Sequence, residues 1–208
     1  MTGLMLIHPN AKAELLALLR AKSVFHGDFK LSSGARSHYY IDCRTTTLDP
    51  KGLWLVGQLM HQLIREQEAK LGVKINAVGG LTLGADPISI AVGMFSFWKE
   101  EAPPLQTFTV RKTPKSYGQT KLIEGNFRQG DMVVVIDDVV TKGESTLKAI
   151  DAVTKEGGKV AFVVVLVDRQ EGGRKAIEEK GHTVLSLFTR DELLAKGEPQ
   201  KPGNLVSA

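Results

Sequence analysis

The chain has 208 residues, 42% of them hydrophobic, enough for one substantial core and too few for two, so a single domain is expected. A net charge of +4, from 27 Lys and Arg against 23 Asp and Glu, is too mild an excess to argue for a nucleic-acid partner. The single cysteine, Cys43, excludes an internal disulfide and argues against a zinc site, which fits a small core thiol in a reducing compartment.

In chain order, the segment Met1–Pro9 lacks the basic n-region of a secretory signal, and no apolar run approaches the roughly 18 residues of a membrane span. A cytoplasmic protein is expected, with no membrane partner. Ala11, Leu15, Leu18 and Leu19 recur at helical spacing, so Pro9–Lys22 reads as an amphipathic helix. Gly27, Ser32, Ser33 and Gly34 are turn residues, flanked by Phe29-Lys-Leu and by Ser37-His-Tyr-Tyr-Ile-Asp, and predict two short strands. Lys51–Lys70 returns to helical spacing.

Short continuous apolar runs then alternate with helical stretches. The runs are Ile75–Val78, Thr107–Val110, Met132–Ile136, Val160–Val167 and Thr183–Phe188; the helical stretches are Asp86–Phe97, Ser145–Lys155, Gly173–Glu179 and Asp191–Lys196. Such a pattern predicts an α/β fold with a parallel central sheet covered on both faces by helices. Ligands of these sheets bind outside the carboxyl ends of the strands, so the chemistry should follow the apolar runs. The tail, residues 197–208, is expected to lie outside the packed core.

Met132-Val-Val-Val-Ile is followed by Asp137-Asp138-Val139-Val140-Thr141-Lys142-Gly143-Glu144-Ser145-Thr146, and an apolar-periodic helix begins at Leu147. A helix start offers unpaired N–H groups and a positive dipole end. Gly143 permits close approach there, and Thr141, Ser145 and Thr146 add hydroxyls, so the turn suits a phosphate. The paired carboxylates before it can accept bonds from sugar hydroxyls or help hold hydrated Mg2+. Alone, Asp138 would read as a strand end and Ser145 as a helix cap; together with the turn they suit a sugar phosphate. No G-x-x-x-x-G-K-[ST] or G-x-G-x-x-G occurs, which excludes the common nucleotide-triphosphatase and dinucleotide motifs. Arg111, Lys112, Lys115 and Lys121 fall within eleven residues that contain no acid. By itself that run would read as a solvated basic loop.

Val134 to Thr146 resembles the phosphoribosyl diphosphate motif of the type I phosphoribosyltransferases. The resemblance implies their fold, with a small N-terminal hood over the base site (residues 1–45) on a single domain spanning 1–208. It places Asp137 and Asp138 at the ribose hydroxyls and makes 141–145 the 5-phosphate loop, with Val139 and Val140 leading in and Lys142, Gly143 and Glu144 within it. Three further segments resemble orotate phosphoribosyltransferases: Phe29 to Arg44 is similar to their N-terminal signature, Val110 to Gly125 to their mobile catalytic loop, and Leu166-Val-Asp-Arg-Gln-Glu-Gly-Gly to the strand end whose arginine meets orotate. The implied activity joins orotate to phosphoribosyl diphosphate, with Mg2+ as cofactor, giving orotidine 5'-phosphate and diphosphate. Orotate would be met by Ser32, Tyr40, Ile41, Thr141 and Arg169, whose guanidinium suits the base's carboxylate. Arg111, Lys112, Lys115 and Tyr117 would meet the diphosphate, with Lys115, Arg111, Lys112, Asp137 and Asp138 as the catalytic set and no direct protein ligand to the metal. The loop, residues 111–121, serves the neighbouring subunit in the family, which implies a homodimer.

Two positions depart from the family pattern. Tyr117 stands where many members carry histidine, and Leu83 where some carry a lysine, leaving backbone N–H groups and Thr82 for the diphosphate. Asp86, before a proline, reads best as a helix cap. Two other readings stay open. A relative acting on another nucleobase would need neither Arg169 nor the segment 29–42. A non-catalytic regulator that keeps the sugar-phosphate site and binds nucleic acid would need an added recognition domain, for which the 24 residues before Phe25 are too few.

Overall fold

Continuous β-branched runs make strands that must be covered on both sides, and the intervening helices supply the cover. A computed structural model of the chain describes residues 10–30, 36–99, 103–113 and 122–195. Helix α1 (Ala11–Lys22) leads into an antiparallel hairpin of β1 (Val24–Lys30) and β2 (Arg36–Ile41), then α2 (Arg44–Thr47) and α3 (Pro50–Leu71). The remaining elements are β3 (Ala77–Leu81), α4 (Ala85–Trp98), β4 (Gln106–Val110), β5 (Ile123–Gly125), β6 (Met132–Val140), α5 (Glu144–Lys155), β7 (Lys159–Asp168), α6 (Gly173–Glu178), β8 (Val184–Thr189) and α7 (Arg190–Leu194).

Their six strands form one sheet in the order β5-β4-β3-β6-β7-β8. The parallel pairing expected from the apolar runs holds from β4 to β8. The edge strand β5 departs from it and runs antiparallel to β4. Its cause is local: the basic segment leaves the end of β4 and must return, and Arg111 N–H closes its root on the Leu122 carbonyl at 2.9 Å.

Alternation along β6 divides the core. Val134 and Ile136 pack with Leu15, Leu55, Met60, Ile88 and Val92 from α1, α3 and α4, whereas Val133 and Val135 pack with Ala149, Val153 and Ile177 from α5 and α6. The long helix α3 starts where Asp49 accepts Gly52 N–H at 2.9 Å with Pro50 in the first turn, and stops at Gly72, whose φ of 63° suits the left-handed cap. The chain builds outward from β3 to β5, then returns to set β6 beside β3 before building outward to β8. The sheet's switch point therefore lies between β3 and β6, where an open α/β sheet leaves a crevice at its carboxyl edge.

Candidate active site

Strand β6 is longer than its apolar run implies. Pairing with β7 continues to Val140 opposite Asp168, so Asp137 and Asp138 belong to the strand instead of following it. Consecutive strand residues point to opposite faces, and the two carboxylates have different surroundings as a result. Asp137 is 5% exposed. Its Oδ2 accepts the Thr146 hydroxyl at 2.8 Å and its Oδ1 the Asp138 N–H at 3.0 Å. The Thr146 hydroxyl, expected in the phosphate turn, is thus donated to Asp137, and the residue is buried although it lines the hollow of that turn. Asp138 Oδ1 accepts Val139 N–H at 2.9 Å, and its carboxylate lies against the turn after β3, where a Cβ on Gly84 would stand 2.3 Å away. Likewise a Cβ on Gly80 would stand 1.9 Å from the Ile136 carbonyl oxygen, so these two glycines let β3 and its turn close on β6.

Burial, with the neighbouring Asp138 charge next in size, pushes Asp137 up to about 7. Asp138 is also raised, chiefly by burial. Both effects disfavour two bare carboxylates side by side, so the pair favours a cation or hydroxyl donors over it.

A cavity of about 300 Å³ opens on this pair. Its walls are residues 40–44 at the end of the hairpin, residues 81–84 after β3, and Asp137, Asp138, Val139, Thr141 and Ser145, with Lys112 and Arg169 at the sides. A smaller hollow of about 190 Å³ continues into the turn of residues 139–146. There Gly143 takes a φ of 83° immediately before α5, and no described side chain caps the helix, which leaves its first N–H groups uncapped beside the hollow.

Thr141 and Arg169 are brought together by ties between the turns after β6 and β7: Arg169 N–H donates to the Val140 carbonyl at 3.0 Å, Gly173 N–H to Thr141 at 2.8 Å, and Lys142 Nζ to the Glu171 carbonyl at 3.1 Å. Arg169 is not a surface ion pair. It is 7% exposed, pairs with Glu171 at 2.7 Å and lies 5.7 Å from the Tyr39 ring centroid, while its Nε has no acceptor among the described residues. Asp168 pairs instead with Arg174, at 2.9 Å. Tyr40 is partly exposed, with its ring centroid 6.5 Å from that of Phe25 and 5.8 Å from that of Phe29, and Ile41 is buried.

The expected residues Tyr40, Ile41, Lys112, Asp137, Asp138, Val139, Thr141, Ser145 and Arg169 thus surround one cavity, and Val140, Lys142, Gly143 and Glu144 line the adjoining hollow. Arg111 is not in the cavity wall; it pairs with Glu124 at 3.6 Å. Ser32, Lys115 and Tyr117 lie outside the described residues. Asp86 is not the cap of α4. It accepts the Thr82 hydroxyl at 2.7 Å and the Thr109 hydroxyl, joining the turn after β3 to the end of β4. Four wall residues, Asp42, Arg44, Leu81 and Gly84, were given no role from sequence, and Cys43 was read only as a core thiol. Cys43 is a fully buried thiol pushed well up by burial; the acid-x-basic spacing of Asp42 and Arg44 was the available signal for those two.

Among the described residues no three His, Cys, Asp or Glu side chains converge on a metal position. Two adjacent carboxylates suit a hydrated Mg2+ held mainly by a substrate's own phosphate oxygens, since Mg2+ keeps much of its water shell.

No family model matches the chain. It is 42% identical over 186 residues to the orotate phosphoribosyltransferase of Aquifex aeolicus, covering 88% of this chain and 97% of that one. Among solved structures, orotate phosphoribosyltransferase of Mycobacterium tuberculosis superposes with a TM-score of 0.74 at 39% identity, covering 88% of this chain and 98% of that chain. The same enzyme in complex with 5-phospho-α-D-ribosyl 1-diphosphate gives a TM-score of 0.70 at 38% identity, with the same coverage.

Proposed function

The chain belongs to the orotate phosphoribosyltransferases, and from that premise we propose how its residues divide the reaction. The enzyme transfers the phosphoribosyl group of phosphoribosyl diphosphate to orotate, giving orotidine 5'-phosphate and diphosphate for pyrimidine biosynthesis. The 5-phosphate sits in the hollow before α5, on the N–H groups beyond Gly143 and the hydroxyls of Thr141 and Ser145. Asp138 accepts the ribose hydroxyls, and Asp137 holds the floor beneath it through Thr146. Orotate lies between the 40–41 wall and Thr141, with its carboxylate on Arg169.

The observation that carries this placement is Arg169: a buried guanidinium in the cavity wall with one N–H lacking an acceptor is what a carboxylated base requires and a neutral base does not. The ring nitrogen of orotate attacks the anomeric carbon as an anion, the bond to the diphosphate oxygen breaks, and its electron pair leaves with the diphosphate. No protein base is needed. The leaving group gathers negative charge, so positioned cations do most of the catalytic work, here Lys112 with Arg111 and Lys115. Asp137 and Asp138 would hold a hydrated Mg2+ through water, and such an ion would add positive charge beside the leaving group. The segment 111–121, of which 114–121 lie outside the described residues, would screen a hydrolysis-prone centre from water.

The working unit is a homodimer in which that loop serves the neighbouring site. Supporting a second copy, Ile90, Met94 and Phe97 form one stripe on α4 and are 52%, 65% and 73% exposed. Each subunit is a single domain whose residues 1–45 hood the base site, and the protein works in the cytoplasm with no nucleic-acid partner; among the described residues no helix is long and apolar enough to cross a membrane. The test is consumption of orotate with phosphoribosyl diphosphate and Mg2+, run beside uracil, adenine and hypoxanthine. Orotate alone should turn over, and turnover of another base without orotate overturns the assignment.

A further inference from the structure

The diphosphate end of the cavity raises a question of charge. Its wall after β3 is Leu81, Thr82, Leu83 and Gly84, which carries no cation, and the Thr82 hydroxyl is already donated to Asp86. Leu83 is 53% exposed, so an apolar side chain stands where a departing polyanion must be met. Arg44 shares the cavity with it. This residue lines the main cavity, and it also lines a neighbouring depression of about 530 Å³ that shares Asp42, Arg44 and Leu83 with it. Arg44 and Leu83 therefore border both hollows together.

Its orientation is set by Asp42. Arg44 Nε donates to Asp42 Oδ1 at 2.8 Å and Nη2 to Oδ2 at 2.7 Å, and the Arg44 backbone N–H donates to Oδ1 at 3.0 Å. The side fork of the guanidinium is thus fully used, while Nη1 and the outer hydrogen of Nη2 have no acceptor among the described residues. The side chain is 47% exposed, so a ligand can reach that edge. As the first residue of α2, directly after the hairpin, Arg44 is also fixed by the fold in a way that a long loop residue is not.

We propose that Arg44, oriented by Asp42, is a diphosphate-binding residue of this enzyme, supplying from the hairpin side the charge that the turn at Leu83 lacks. A planar guanidinium matches two phosphoryl oxygens at once, and one already aimed by a carboxylate loses little freedom on binding. Arg44 would grip phosphoribosyl diphosphate in the ground state and the diphosphate as it leaves, with Lys112 on the other flank. The inference rests on the activity above. The bland explanation is a half-exposed ion pair of small consequence, and the two explanations differ in which ligand they affect.

The experiment is calorimetric titration of wild type and Arg44→Gln with two separate probes, pyrophosphate plus Mg2+ and ribose 5-phosphate. Loss of a charged two-point contact should weaken pyrophosphate by about tenfold or more, while ribose 5-phosphate, held at the other end, stays within about twofold. Arg44→Lys, which keeps the charge and loses the fork, should fall between. In turnover assays the KM for phosphoribosyl diphosphate should rise and that for orotate should not. Unchanged pyrophosphate binding in Arg44→Gln overturns the proposal, and so does an equal loss of both ligands, which would mark a structural role. A wild-type protein that binds neither probe would overturn the assigned activity itself.

Discussion

Two acids in succession look alike in a sequence and behave differently in a strand. Asp137 turns toward α5 and is closed in by Thr146, whereas Asp138 turns toward Gly84 and the cavity. The pH dependence follows from Asp137. Its carboxyl is raised from an ordinary 3.8 to about 7, so between those values the folded ligand-free protein holds a proton that the unfolded chain has released. Stability is then greatest at the acid end of the window and falls as pH rises toward 7. Thermal unfolding followed from about pH 5 to about pH 8 should show a falling Tm in wild type, and the fall should be largely removed in Asp137→Asn. Thr146→Val removes the hydrogen bond that favours the charged form, so its fall should move to higher pH. A Tm profile shared by wild type and Asp137→Asn would sink the assignment. Arg169 permits a second test at this scale. Losing a buried charged hydrogen bond costs about 1.5–3 kcal/mol, so Arg169→Gln should raise the orotate KM roughly 10- to 100-fold. The KM for phosphoribosyl diphosphate should barely change, and a parallel rise in both would contradict the placement of the base.

At the scale of elements, the site is a set of turns pressed against one strand. Gly84 brings the turn after β3 against the reacting face, since a Cβ there would meet the Asp138 carboxylate at 2.3 Å. Its backbone is ordinary right-handed helix, so Gly84→Ala introduces a collision without backbone strain. A displacement of this order costs about 100-fold in catalysis when it moves a positioned group. Gly84→Ala should accordingly lose about that much kcat/KM for phosphoribosyl diphosphate while its Tm changes little; wild-type kinetics would show that the turn and Asp138 are not in register with the reaction. The main elements were legible beforehand because burial on both faces writes itself into a sequence as unbroken apolar runs, as in Met132–Ile136. The hydroxyl-rich turn was legible because phosphate needs small residues at a helix start. The rest was set by contacts across the fold. Asp86 finds the Thr109 hydroxyl 23 residues away only once β4 lies beside β3, so its local sequence, an acid before proline, pointed to a cap. Thr146 looked like part of the phosphate turn until helical rotation carried it under β6. β5 and α2 are too short to show a period, and each exists because a longer segment must turn back.

At the scale of the whole molecule, the distribution of charge bears on the assembly. Arg111 pairs with Glu124 beside the edge strand and stays out of the cavity wall of its own subunit, while α4 presents Ile90, Met94 and Phe97 to solvent. Both fit a chain completed by a second copy, with the basic loop crossing to the other site. Two separately inactive variants test that crossing. Lys115→Ala spoils the loop and leaves the acids intact; Asp138→Asn does the reverse. If the loop acts across the interface, a heterodimer of the two contains one site with both parts whole. Random exchange of equal amounts makes half the dimers mixed, so the mixture should recover about a quarter of wild-type activity. If each loop serves its own subunit, every site carries a lesion and mixing recovers nothing. Introducing Phe97→Glu into both variants should prevent the recovery by burying a charge in the contact, and sedimentation should then report monomers. Recovery that persists in such monomers would show that the two copies meet elsewhere than on α4.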